Sequence, residues 1–235
     1  MTNYLIFGDV DSRDYGVLVY EKASFDMPHR DVTAQSVPGK NGDVLSDNGR
    51  YENIEREFDC IIYEDMYYQL ADFRDAICSK IGYNRIETSV HPDEYFMGFI
   101  ESDTSIKTDN NAQLAKFRLT FNCKPQRFLK SGEETQVFTQ NGAINNFTKQ
   151  IALPYLKVYG EGDFGIGDVT CTISEADEYT EIDCETMICK KGLTPKGQYV
   201  SFSQYEYPTL KPGSNGIALG AGITRIEITP RWYKL

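Results

Sequence analysis

Leu114-Ala-Lys-Phe-Arg-Leu-Thr-Phe-Asn-Cys-Lys-Pro-Gln-Arg-Phe-Leu-Lys130 decides how the chain is read. From Ala115 to Cys123 it alternates without a slip. Ala115, Phe117, Leu119, Phe121 and Cys123 share one face, and Lys116, Arg118, Thr120 and Asn122 share the other. That period of two is a half-buried β-strand with an apolar face and a basic, polar face. Pro125 lacks a ladder donor and ends it. The small, charged run Ser131–Thr135 then reads as a hinge. The strand therefore closes a first domain, 1–132, and a second follows over 133–235.

Working outward, Leu5–Phe7 and Tyr15–Tyr20 are short strands. Ile54–Tyr63 is another, with Ile54, Phe58, Cys60 and Ile62 on one face and Glu55, Glu57 and Asp59 on the other. Val37-Pro38-Gly39-Lys40-Asn41-Gly42 is a tight turn or exposed loop. One helix is predicted, from about Asp65 to Ile81. Met66, Leu70, Phe73, Ile77 and Ile81 make its apolar stripe, Asp65 caps its start and Gly82 ends it. Tyr83–Val90 and Tyr95–Ile100 are further strands. Beyond the hinge no helical period recurs. Tyr155–Tyr159, Val169–Ser174, Glu181–Ile188, Tyr199–Phe202, Ile217–Leu219 and Thr224–Thr229 are short strands between turn residues, the pattern of a β-sandwich. The fold class is mainly β in two domains, with one helix in the first. The last strand, Gly222–Leu235, is free to pack back on the first domain.

Composition narrows the function. The 235 residues carry 16 Tyr and 13 Phe, enough for packed cores and tyrosine-rich contact surfaces. A formal charge of -11 argues against gripping nucleic acid through its phosphates. The N-terminus has no signal-peptide pattern and no segment is long enough to cross a bilayer. Six scattered cysteines with no C-x-x-C pair are expected to be reduced.

Chemical motifs are weak. Gly160-Glu-Gly-Asp-Phe-Gly165 matches G-x-G-x-x-G, but a strand follows instead of a phosphate-receiving helix, so a glycine-rich turn is expected. Asp9, Asp11 and Asp14 lack the glycine and glutamate of a calcium loop. His29 and His91 have no zinc spacing to any cysteine. Asn146-Phe147-Thr148 is a glycosylation acceptor only in a secreted chain. No catalytic, cofactor or metal residue emerges, which points to an assembly part and not an enzyme. Tyr205, Tyr207 and Trp232 are the candidates for a sugar-stacking platform, with ordinary core and edge aromatics as the competing reading.

The ordered motifs resemble the distal tail proteins of long-tailed bacteriophages and prophages of Gram-positive bacteria. The first half carries the likeness in Tyr15-Gly-Val, Pro28-His-Arg-Asp31, Val37-Pro-Gly-Lys-Asn-Gly42, Tyr51 and Phe117–Phe128. The second carries it in Leu153–Gly160, Ile182-Asp-Cys-Glu185, Tyr207–Asn215 and Ile228-Thr-Pro-Arg-Trp232. The resemblance implies a hexameric ring at the virion tail tip, assembled in the host cytoplasm. In it the first domain builds the ring and stacks on the tail-tube protein, and the other side receives a tail-associated adhesin or lysin protein. The second domain is then a galectin-like sandwich that holds receptor-binding proteins, and the central channel passes tape measure and DNA. Closure of such a ring needs a heterologous interface, for which Val37, Pro38, Gly39, Lys40, Asn41 and Gly42 are candidates. No cofactor and no membrane are implied. The compact second domain, with no long insertion between Gly160 and Pro212, makes a gripping arm for separate receptor-binding proteins less expected. The alternative function is a carbohydrate-binding module contacting host cell-wall polysaccharide.

Overall fold

A computed structural model describes residues 3–20, 27–63, 66–101, 107–108 and 114–235. It is mainly β with one α-helix among the described residues. The chain forms two compact units, 1–127 with Leu235, and 128–234.

The first unit holds β1 (Leu5–Phe7), β2 (Val10–Asp11), β3 (Val17–Tyr20), β4 (Arg30–Gln35), β5 (Val44–Tyr51), β6 (Ile54–Tyr63), α1 (Met66–Cys78), β7 (Asn84–Thr88), β8 (Glu94–Ile100), β9 (Lys107–Thr108) and β10 (Leu114–Cys123). Its main sheet runs β2-β1-β7-β8-β10-β6-β3, with β9 also on β10. The organising strand pairs with β6 over its whole length, from Leu114 opposite Tyr63 to Cys123 opposite Ile54. Its odd-numbered residues from Ala115 to Cys123 are buried, as the alternation requires. The opposite face is less basic than the strand alone implies. Arg118 donates to Asp59 at 2.7 Å and to Glu57 at 2.8 Å on the neighbouring strand.

Three phenylalanines from different strands meet in this core, Phe7–Phe121 at 4.9 Å and Phe58–Phe121 at 5.7 Å between ring centroids. Burying each contributes roughly 1.5–3 kcal/mol. The helix lays Phe73 and Ile77 on the same core, with Phe73 6.1 Å from Phe117. It stops earlier than the expected Ile81. Lys80 N bonds the Ile77 carbonyl three residues back and the Ser79 hydroxyl bonds Ala76. Both contacts tighten the last turn. Ile81 consequently lies beyond the stripe, 94% exposed, and left-handed Gly82 belongs to the turn into β7. The expected cap, Asp65, lies outside the described residues.

Strand β11 (Arg127–Leu129) begins at the boundary, and the second unit continues with β12 (Gln136–Phe138), β13 (Gly142–Asn146), β14 (Tyr155–Gly160), β15 (Gly162–Ile166), β16 (Val169–Ile173), β17 (Tyr179–Asp183), β18 (Ile188–Lys191), β19 (Thr194–Pro195), β20 (Val200–Phe202), β21 (Gly213–Leu219), β22 (Ile223–Thr229) and β23 (Tyr233–Lys234). Two antiparallel sheets, β12-β22-β14-β17-β18-β19 and β13-β21-β15-β16-β20, share one core. Leu156, Val158, Ile182, Ile226 and Ile228 enter it from one sheet, and Ile144, Phe164, Ile166, Cys171 and Ile217 from the other. This is a two-layer sandwich. The expected strand Glu181–Ile188 is instead a hairpin of β17 and β18, turning where Met187 takes a positive φ of 57°.

The expected hinge is also different. Lys130–Glu133 is a 3-10 turn in which Gly132 is buried. Arg231 N donates to the Gly132 carbonyl at 2.8 Å, and Leu129 N to the Trp232 carbonyl at 2.8 Å. Small residues here serve close backbone approach, not flexibility.

Candidate functional site

The candidate loop Val37–Gly42 is the tip of a hairpin, β4–β5, that the sequence did not disclose. Gly39 and Gly42 supply left-handed φ of 81° and 80°, conformations glycine adopts without steric cost. Lys40 N closes the turn on the Val37 carbonyl at 3.1 Å. All six tip residues are exposed.

The hairpin's strands pair only with each other among the described residues. The register places Ala34 opposite Leu45 and Val32 opposite Asp47. Val32, Ala34 and Leu45 therefore share one face, continued toward the base by Arg30, whose guanidinium carbon lies 4.8 Å above the Tyr51 ring. Leu45 is 66% exposed. The opposite face carries Asp31, Thr33, Gln35, Val44, Ser46, Asn48 and Arg50, and is polar apart from Val44. Asp31 accepts from Asn48 at 2.8 Å and from Arg50 at 2.6 Å. On the apolar face Asp47 accepts from Arg30 at 2.6 and 2.9 Å. These exposed pairs hold Asp31 and Asp47 below the ordinary carboxylate range, through Asn48 and Arg50 for the first and Arg30 for the second. Such pairs fix the register but add little stability, since exposed ion pairs contribute about 0–1 kcal/mol. A lone two-stranded hairpin is itself marginal in water.

The candidate aromatic platform is not gathered at one place. Trp232 is in the core of the second unit, 5% exposed. Tyr207 is half-buried, stacked on Phe202 at 4.4 Å, and donates its hydroxyl to the Met187 carbonyl at 2.7 Å. Tyr205 is fully in solvent at 99% exposure, with a positive φ of 56°. Its chain neighbours Gln204 and Glu206 line a cleft of about 280 Å³ together with Tyr207, Asp168, Lys211 and Asn215.

The weaker motifs resolve into structure. Gly160 and Gly162 run so close to the Gly222 and Ala221 carbonyls that any Cβ would collide. Glu161 makes the turn and Gly162 already begins β15. Asp9 pairs with Lys80, and Asp11 accepts from Arg13 at 2.9 Å. Asn146 is buried, and its amide donates to the Gln150 and Leu210 carbonyls at 2.8 and 2.9 Å. It anchors a turn. Among the described residues no group of three or more His, Cys, Asp or Glu is placed to hold a metal. Nor is any helix long and apolar enough to cross a membrane. Cys60, Cys123, Cys171, Cys184 and Cys189 are buried and Cys78 is exposed, all as free thiols.

No protein-family model matches the chain, and no curated protein matches it in sequence. Among solved structures it is similar to SPP1 Dit (gp 19.1), a paradigm of the hub adsorption apparatus in Gram-positive infecting phages. That match has a TM-score of 0.78 at 14% identity and covers 100% of both chains. It is also similar to a chain of the phage P2 baseplate in its activated conformation with calcium. There the TM-score is 0.52 at 14% identity, covering 97% of this chain and 98% of that one. The chain thus has the fold of the distal tail protein group that its ordered motifs resemble.

Proposed function

We propose that the chain is a non-enzymatic structural subunit of a phage or prophage tail tip, a distal tail protein that closes into a homo-hexameric ring. The observation that carries this reading is the β4–β5 hairpin. It is hydrogen-bonded only to itself among the described residues and leaves Val32, Ala34 and Leu45 in water on one face. A marginal element with an apolar face acquires stability by docking on another surface, and repetition of one heterologous contact closes a ring. The likeness in fold to SPP1 Dit over the whole chain supports the same reading.

In this proposal the first unit forms the ring between the tail-tube protein and a tail-associated adhesin or lysin protein. The loop Val37–Gly42 lies at the subunit contact, and the second unit is a galectin-like sandwich. The ring sits at the virion tail tip after assembly in the host cytoplasm. Its channel passes tape measure and DNA without binding them, for which a chain of net charge -11 is suited.

Light scattering of the purified protein, followed by negative-stain imaging of the same peak, tests this. Six subunits in a ring with an open centre is the expected result. A monomer that also fails to form rings when mixed with the tail-tube and adhesin proteins would end the proposal.

A further inference from the structure

We infer that the cleft beside Tyr205 is a binding site for a neutral hexose unit of a glycan. Its base is rigid. Asn215, 4% exposed, donates its amide to the Lys211 and Gly213 carbonyls at 2.8 and 3.1 Å and accepts from Lys211 N at 2.9 Å. The side-chain amide thereby ties the loop from Lys211 to Asn215 to itself. On the facing wall Gly167 N bonds the Gly216 carbonyl at 2.9 Å, which sets the turn that presents Asp168. The backbone under the cleft is thus held by hydrogen bonds, while the Asp168 and Lys211 side chains reach into solvent, 70% and 61% exposed.

The groups presented are those a sugar ring uses. Asp168 and Glu206 accept hydrogen bonds from hydroxyls, while Lys211 and Gln204 donate to hydroxyl oxygens. Lys211 is held 2.6 Å from Asp168, and Gln204 donates to the Asp168 carbonyl at 3.3 Å. Two carboxylates against one ammonium disfavour an anionic ligand such as a phosphate. Across the described residues no three-ligand metal cluster is present either. A volume of about 280 Å³ lies just under the 300–1,000 Å³ of drug-sized sites and suits one ring, with the rest of a chain in solvent.

Tyr205 adds an independent observation. Its positive φ of 56° belongs to a turn in which Tyr205 N bonds the Phe202 carbonyl at 3.2 Å. The turn holds an aromatic ring in water between two residues that line the cleft. Tyr207 itself lines the cleft, and an aromatic ring beside polar groups matches a pyranose, which has apolar C–H faces and a polar edge.

The site does not depend on ring assembly, so it is tested on the full chain in whatever oligomeric state it takes. A glycan array carrying neutral hexose polymers and phosphate-bearing wall polymers is probed with wild type, Tyr205→Ala and Asp168→Asn. Retention of at least one neutral hexose glycan, weakened tenfold or more by each substitution with melting unchanged, is the expected result. No neutral glycan retained, retention only of the phosphate-bearing polymers, or equal retention by both variants would overturn it.

Discussion

Gly132 packs directly on the backbone of Trp232, so close that a Cβ at position 132 would overlap the Trp232 amide nitrogen. The contact joins the first turn of the second unit to its last strands, and is closed by the hydrogen bond from Arg231 N to the Gly132 carbonyl at 2.8 Å.

Gly132→Ala should therefore destabilise the second unit by about 1–3 kcal/mol, the usual cost of forcing a methyl into a filled space. The blocking atoms are backbone and have little room to move. Gly197→Ala is the matched control, because nothing lies within 4 Å of its Cβ position. It should change stability by less than about 0.5 kcal/mol. Urea unfolding of both variants measures the difference, and equal midpoints would remove the close-packing argument.

Arg231 turns from that contact toward Asp183, donating to its two oxygens at 2.7 and 3.2 Å. Burial opposes the charged form of Asp183. The guanidinium outweighs that, assisted by the Thr186 and Glu185 backbone N–H groups, and holds the carboxyl below its ordinary range. A depressed carboxylate stabilises the fold above its unfolded pKa of about 3.9 and loses the contribution as pH falls through the folded value. Asp183→Asn should cost about 1 kcal/mol at pH 7, a charge-assisted bond discounted for partial exposure. Below the folded value the gap between variant and wild type should close. A gap that persists there would assign the loss to packing.

How far the sequence disclosed the molecule follows from what each residue buries. The alternation of β10 was legible because one face is packed and the other wet, and its partner β6 was found with identical bounds for the same reason. Arg56 was not, because it sits at a buried position of β6 with its guanidinium carbon 3.9 Å above the Phe96 ring. Long cationic side chains that cover apolar surface leave no hydrophobic mark. The β4–β5 hairpin was hidden because nearly every residue of it is exposed, so no period of two appears. Asn215 and Asn146 were missed as architectural residues because a buried amide satisfied by turn carbonyls looks, in sequence, like any loop asparagine. The cleft is assembled from β15–β16 and the segment before β21, far apart in the chain.

The cysteines give a simple count. Burial pushes the Cys60 and Cys171 thiols up to about 12, and raises Cys184 and Cys189 as well. Buried thiols are also shielded from reagent, so only exposed Cys78 should react rapidly with a thiol reagent in the native protein. Absorbance should report one fast thiol, none in Cys78→Ser, and the remaining five only in denaturant. Two or more fast thiols in the native state would contradict the packing described.

The hairpin supplies the sharpest discrimination of the ring proposal, because its two faces differ. Leu45 lies on the apolar face with Val32 and Ala34, whereas Ser46 lies on the polar face opposite Thr33. Both are exposed in the isolated chain, so a charge at either should leave subunit stability within about 0.5 kcal/mol of wild type. Their effects on assembly should separate. Leu45→Asp would bury an unpaired carboxylate in the subunit contact, which costs several kcal/mol at each interface of a closed ring. Ser46→Asp would add a charge to a surface already carrying Asp31 and Arg50. Light scattering should show Leu45→Asp as a monomer with unchanged melting and Ser46→Asp as a ring. If both variants assemble, the apolar face of the hairpin is not the contact. If both fail, a general charge effect explains the loss and the face assignment falls.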